Sequence, residues 1–143
     1  MIEEYFREYD EKCHEKKIAL KRYIDAKAAF YTITGIKYDE MPKAQGRVLG
    51  LDDLMIQIEE LHNDYIEKYE NCEIERKKCL EDINKLENKI SRVIIECTYL
   101  NFESDKEILF SLKEFFNKEY SLSHIKRLKK KAIKEFIEII DTL

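Results

Sequence analysis

Thr34–Gly50, TGIKYDEMPKAQGRVLG, holds all three glycines and the only proline of this 143-residue chain. Glycine loses the most backbone freedom in a helix, and proline removes an amide donor and blocks the preceding turn. The segment is therefore expected to break the chain as a loop over 34–50 and to leave a helical arm on each side. In the first arm Ile2, Phe6, Tyr9, Cys13, Leu20, Ile24 and Tyr31 recur at helical spacing, interrupted by Lys16 and Lys17. In the second, Leu51, Leu54, Ile58, Leu61 and Tyr65 alternate by three and four, with Asp52 or Asp53 as the cap that starts the helix. The stripe continues through Tyr69, Cys72, Arg76, Cys79, Ile83, Leu86, Ile90, Val93, Cys97 and Leu100. Four-residue steps at Leu61, Tyr65 and Tyr69 form a stutter that locally unwinds a supercoil, and Arg76 is a polar interruption that fixes register. Unbroken to about Ser91, this helix would be ~60 Å long. That is too long for a small globule to cover, so the seam predicts a homodimer through the long helices, a fold-back of the first arm, or both.

The composition agrees. Charged residues make up 39% and apolar residues 44%, with no Trp. High charge, regular apolar spacing and few helix breakers favour long helices over sheets or disorder. The N-terminus lacks the apolar stretch of a signal peptide, and no apolar run approaches the ~20 residues of a membrane span. A cytoplasmic protein without membrane contact is expected. Cys13, Cys72, Cys79 and Cys97 each fall where the helix pattern calls for an apolar side chain, so they read as buried thiols. No CxxC pair or histidine spacing suggests a metal, and none is expected, nor any other cofactor.

The C-terminal part, 89–143, reads as a separate helical unit after an arm over 1–88. An apolar-rich helix, ISRVIIECTYL, leads to Ser104, which with Glu107 has the spacing of a capping box. The next helix presents Ile108, Leu109, Leu112, Phe115 and Phe116 and ends near Asn117. After a short turn, Ser121 caps a last helix that runs to about Ile140. Helix, short turn and capped helix form a helix-turn-helix arrangement. The expected fold is all-α: a long helical hairpin or coiled coil followed by that unit.

The last helix carries the chemistry. Tyr120–Lys134, YSLSHIKRLKKKAIK, has six cations and no carboxylate in a chain of net charge −4, which leaves −10 for the remainder. With Ile125 at the centre of its apolar face, Leu128, Ala132 and Phe136 join it, with Leu122 and Ile139 or Ile140 at the margins. Ser123, Arg127, Lys130, Lys131 and Lys134 then point outward, with Lys126 on the flank. Such a face suits the DNA major groove. Arg127 and Ser123 are the candidates for base edges, with His124 beside them. Lys126, Lys130, Lys131 and Lys134 are placed for phosphates, which fix register without reading sequence. The competing readings are a solvated helix face, and a contact with an acidic protein or a membrane surface. Lysine-rich surface helices ordinarily interleave Glu for i,i+4 pairing, and this one does not before Glu135.

In these features the chain resembles small phage transcriptional regulators of the RinA/ArpU type, whose C-terminus is similar to region four of a bacterial sigma factor. The resemblance covers most of the chain. Met41-Pro42-Lys43 with Gly46 resembles that family's Met-Pro-basic loop. Ile90 to Leu100, ending in Thr98-Tyr99-Leu100, resembles the helix entering its DNA-binding unit. Tyr120-Ser121 with Ile125, Arg127, Leu128 and Ala132 resembles the start of its recognition helix. The segment from Ile108 to Tyr120 departs from the pattern: it is longer and has no Ala or Gly. The resemblance implies control of late or packaging genes through double-stranded DNA, with RNA polymerase as a further partner. No Gly-rich phosphate loop or catalytic motif appears, so an enzyme is not expected. The rival class is a coiled-coil interaction or assembly protein whose basic helix is incidental.

Overall fold

The computed structural model describes residues 2–40 and 45–143, with side chains described over 2–32 and 50–143. The described part is all-α. Helix α1 spans Ile2–Glu40 and α2 spans Gln45–Ile83. They are followed by α3, Lys89–Ile95, which widens into a π-helical turn at Glu96–Leu100. The chain then forms α4, Asp105–Phe116, and α5, Leu122–Asp141.

Two expectations about the arms are corrected. Helical structure covers most of the loop expected over 34–50, because α1 continues to Glu40 and α2 begins at Gln45. An isolated glycine inside a helix costs only about 1 kcal/mol relative to alanine, and Gly35, Gly46 and Gly50 are never adjacent. Asp52 and Asp53 are therefore exposed residues within a helix and not its cap. Met41-Pro42-Lys43 lie outside the described residues. The second helix also stops at Ile83, short of Ser91. The chain tightens there into three-residue turns, Lys85 N–H to Asp82 O at 3.1 Å and Leu86 N–H to Ile83 O at 3.0 Å. Asn88 then accepts from the amides of Ile90, at 2.9 Å, and Ser91, at 3.4 Å, and so starts a new helix. Arg92 holds the corner by donating from Nε to the Leu86 carbonyl and from its Nη2 to the Glu87 carbonyl at 3.5 Å.

Two compact units result. One comprises residues 1–10 and 74–143, the other residues 11–73. This division differs from an arm over 1–88, because the outer ends of both arms belong with the C-terminal helices. Phe6, Tyr9, Cys79 and Ile83 are buried in the same core as Ile94, Ile95, Leu100, Ile108, Leu112, Ile125 and Phe136. Tyr9 donates its hydroxyl to the Leu100 carbonyl at 2.8 Å. Arg76 reaches Asn101 Oδ1 at 2.9 Å, Tyr9 Oη at 3.3 Å and Glu96 Oε1 at 3.4 Å. The polar interruption of the second arm thus ties it to the π-helical turn.

In the other unit α1 and α2 run antiparallel. Cys13 Sγ lies 3.3 Å from Cys72 Sγ, Lys16 Nζ lies 5.5 Å from the centre of the Tyr69 ring, and Tyr23 meets His62 edge to face at 5.2 Å. From Lys16 to Tyr23 is seven residues forward, and from Tyr69 to His62 is seven back, so the register holds along the pair.

All four thiols are buried and none is in a disulfide, as the apolar spacing suggests. Burial raises the Cys72 thiol from 9.0 to about 11, helped by the neighbouring Cys13. Burial and the Glu103 carboxylate raise Cys97 from 9.0 to about 12. Native Cys72 and Cys97 are thus expected to resist iodoacetamide at pH 8, while denaturant exposes them to rapid alkylation, as mass spectrometry of quenched samples would report. The same shifts predict alkaline sensitivity. A thiol with a raised folded value contributes its full stability below pH 9 and loses it as the pH climbs towards 11–12, because the unfolded chain ionises first. Tyr5 acts in the same direction, held protonated by burial and by its hydrogen bond to Asp82.

Candidate nucleic-acid interface

The candidate face is built on α5, and three local devices place that helix. Ser104 caps α4 by accepting from the Glu107 amide at 3.4 Å, while Glu107 accepts from the Ser104 amide at 3.4 Å, which completes the capping box. Asn117 closes α4 in the left-handed region, with φ 53° and ψ 40°, and donates to the Lys113 carbonyl at 2.9 Å. Asparagine tolerates that conformation better than most residues with a Cβ. Ser121 then accepts from the His124 amide at 3.2 Å and starts α5. All three devices were readable from residue types alone.

Packing sets the rotation of α5. Ile125, Ala132 and Phe136 are fully buried, and Leu128 is half-buried. The Phe136 ring stacks on Phe6 at 5.7 Å and meets Tyr5 edge to face at 5.3 Å, while Phe6 stacks on Tyr99 at 4.8 Å. The start of α1 is thereby locked onto α5. Leu122, expected at the margin of the apolar face, is exposed, because the first turn of α5 extends past the core. Phe115 is also exposed, at 69%. It lies about 60° around α4 from Leu112, at the edge of a stripe already filled by Ile108, Leu112 and the half-buried Leu109 and Phe116.

One cation is committed to the fold. Lys129 Nζ lies 3.2 Å from Asp105 Oδ1, both partly covered, which ties α5 to the first turn of α4. The other five cations of the stretch, Lys126, Arg127, Lys130, Lys131 and Lys134, are exposed. Among the described residues, none of these five forms an ion pair. Ser123 and His124 are exposed at the head of the same helix. The Ser123 hydroxyl lies 3.2 Å from that of Ser121, and the His124 ring packs edge to face on Tyr120 at 4.8 Å. All seven residues singled out in the sequence therefore sit on the solvent side of one helix, whose opposite side is fixed in the core.

Lys118 was missed. It is exposed in the turn just before Ser121 and adds a cation at the entrance to α5. Its only sequence signal is proximity, since no helical period reaches it. Lys113, one turn before the end of α4, is paired with Glu119 at 3.1 Å. Among the described residues no group of three His, Cys, Asp or Glu is placed to hold a metal ion. Nor is any described helix long and apolar enough to cross a membrane. From Ser121 to Lys134 the face offers hydroxyl, imidazole, guanidinium and ammonium donors without a carboxylate, and Glu138 follows one turn after Lys134. It can complement a polyanion. Comparison of the chain with protein-family models, curated proteins and solved structures returns no match.

Proposed function

We propose that this chain binds double-stranded DNA through the outward face of α5 and acts as a transcriptional regulator. The observation that carries the proposal is the run of five exposed, unpaired cations behind the Ser121 cap, on a helix whose far side is held by Ile125, Ala132 and Phe136. A charged face left unpaired in a chain rich in Glu costs self-repulsion, which a polyanion relieves. The 20-residue α5 is about 30 Å long and can lie in a major groove, which is ~12 Å wide. In that pose the first turns meet base edges and the later lysines meet phosphates. Arg127 donates two hydrogen bonds to guanine, Ser123 and His124 flank it, and Lys126, Lys130, Lys131 and Lys134 hold the backbone. The resemblance to phage regulators extends the proposal to control of late or packaging genes, with RNA polymerase as a further contact.

The test separates reading from holding. After a preferred duplex is selected from random sequence, Arg127→Ala is expected to relax discrimination at one base pair by about 1–3 kcal/mol. Lys130→Ala is expected to weaken every sequence alike. Equal, sequence-blind losses for the two variants would remove Arg127 from the base-reading role.

A further inference from the structure

The unit formed by residues 11–73 is incompletely covered. Among its described side chains only Cys13, Ala19 and Cys72 are buried. Leu20, Tyr23, Phe30, Leu54, Ile58, Leu61 and Tyr65, the stripe that should form its core, are only half-buried. A pair of helices buries one narrow seam, and here a second apolar stripe runs beside it. On α1 that stripe includes Ile24 and Tyr31, seven residues apart and 53% and 61% exposed. On α2 it includes Met55, His62, Ile66 and Tyr69, spaced by seven, four and three, with Met55 55% exposed. Both stripes border the same side of the pair. Tyr31 from α1 and Met55, Ile58 and His62 from α2 line one open groove of about 450 Å³.

The charges indicate what covers this side. Over residues 11–32, α1 carries six cations and three carboxylates; over 50–73, α2 carries eight carboxylates and one cation. The ion pairs Lys12–Glu15 and Lys68–Asp64 each lie within one helix. Lys21 on α1 and Glu59 and Glu70 on α2 are exposed without ion-pair partners among the described residues. A basic helix beside an acidic one, with a shared apolar side, is complementary to a copy of itself. With the two-fold axis along the helices, each α1 lies over the other copy's α2. With the axis across them, α1 would lie on α1 and like charges would meet.

We propose that two copies pair through this side, α1 of each against α2 of the other, as an antiparallel four-helix bundle. The face is about 30 Å long and two helices wide, roughly 550 Å² in projection, and its corrugation takes the accessible area towards the ~800 Å² per partner of a stable interface. The groove closes, and Ile24, Tyr31, Met55, Ile66 and Tyr69 leave water. Lys17 and Lys21 border the stripe on α1, and on α2 Glu70 lies about two residues from the level of Lys17 and Glu59 about five from that of Lys21 in the antiparallel register. The inference is independent of the DNA proposal and is measured without DNA.

The test is a charge swap read by light scattering on the full chain at tens of micromolar. The natural chain is expected to be a dimer. Lys17→Glu with Lys21→Glu makes both cross-contacts repulsive, as does Glu59→Lys with Glu70→Lys, so each doubly substituted chain alone should dimerise about a hundredfold more weakly. Mixed one to one, the two chains should form a heterodimer, because every α1–α2 contact between them is again attractive. Rescue on mixing cannot come from repair within one hairpin, and it also shows that both variants still fold. A monomeric natural chain, a variant that still dimerises alone, or a mixture that stays monomeric would each overturn the proposal.

Discussion

Replacing Lys126, Lys130, Lys131 and Lys134 together with Gln is expected to lower affinity for duplex DNA about a thousandfold at physiological salt. Each neutralised phosphate releases condensed counterions, and near 0.15 M salt one such contact is worth roughly a factor of five to six. Four contacts multiply to about that thousandfold loss, and the plot of log affinity against log salt should flatten by about four units. Stability should barely move. All four side chains are exposed and form no ion pair among the described residues, so the change falls in the ±0.5 kcal/mol class of surface substitutions. Fluorescence anisotropy and thermal unfolding on the same preparation separate the two effects. Retained binding with a lowered melting temperature would mean that the lysines serve the fold and not a ligand.

Phe136→Ala is expected to produce the largest loss of stability, about 3–5 kcal/mol. The Phe136 ring is fully buried between Phe6 and Tyr5, and truncation leaves a cavity where α1 meets α5. Natural domains are stable by only ~5–15 kcal/mol, so the variant is expected to unfold partly near body temperature. DNA binding should fall with it, since the outward face of α5 is positioned only while its inward face is packed. Denaturant titration measures the cost. Leu122→Ala is the control: the same helix is truncated at an exposed position, and the loss should be under about 1 kcal/mol.

Much of this architecture was legible in the sequence because it rests on local rules. Ser104 with Glu107, Asn117 and Ser121 announce helix ends through groups that satisfy free amides and carbonyls, and all act as those rules require. The inward set of α5 followed from its period, as did the outward set of candidate residues. What failed to show depends on distant partners. Phe6 and Tyr9 have the same helical spacing whether they face the second arm or the C-terminal helices, so periodicity gave their face and not their company. Lys129 looked like one more cation until Asp105 stood beside it. The expected loop over 34–50 overweighted glycine, whose penalty a long helix absorbs. The break after Ile83 came from Asn88 and Arg92 acting on nearby backbone, inside a stripe whose spacing never faltered. Phe115 shows the limit of a wheel diagram, since an apolar residue at the edge of a stripe is buried only if the neighbouring helix reaches it.

The proposed function rests on α5 presenting a DNA-binding face. Its most direct test is titration of the intact natural chain with duplex DNA at salt concentrations from about 0.05 to 0.3 M. Binding is expected whose log affinity falls linearly with log salt, with a slope near −4 from the four phosphate-placed lysines, or steeper where Lys118 joins them. Absence of binding at the lowest salt, or an affinity indifferent to salt, would contradict it.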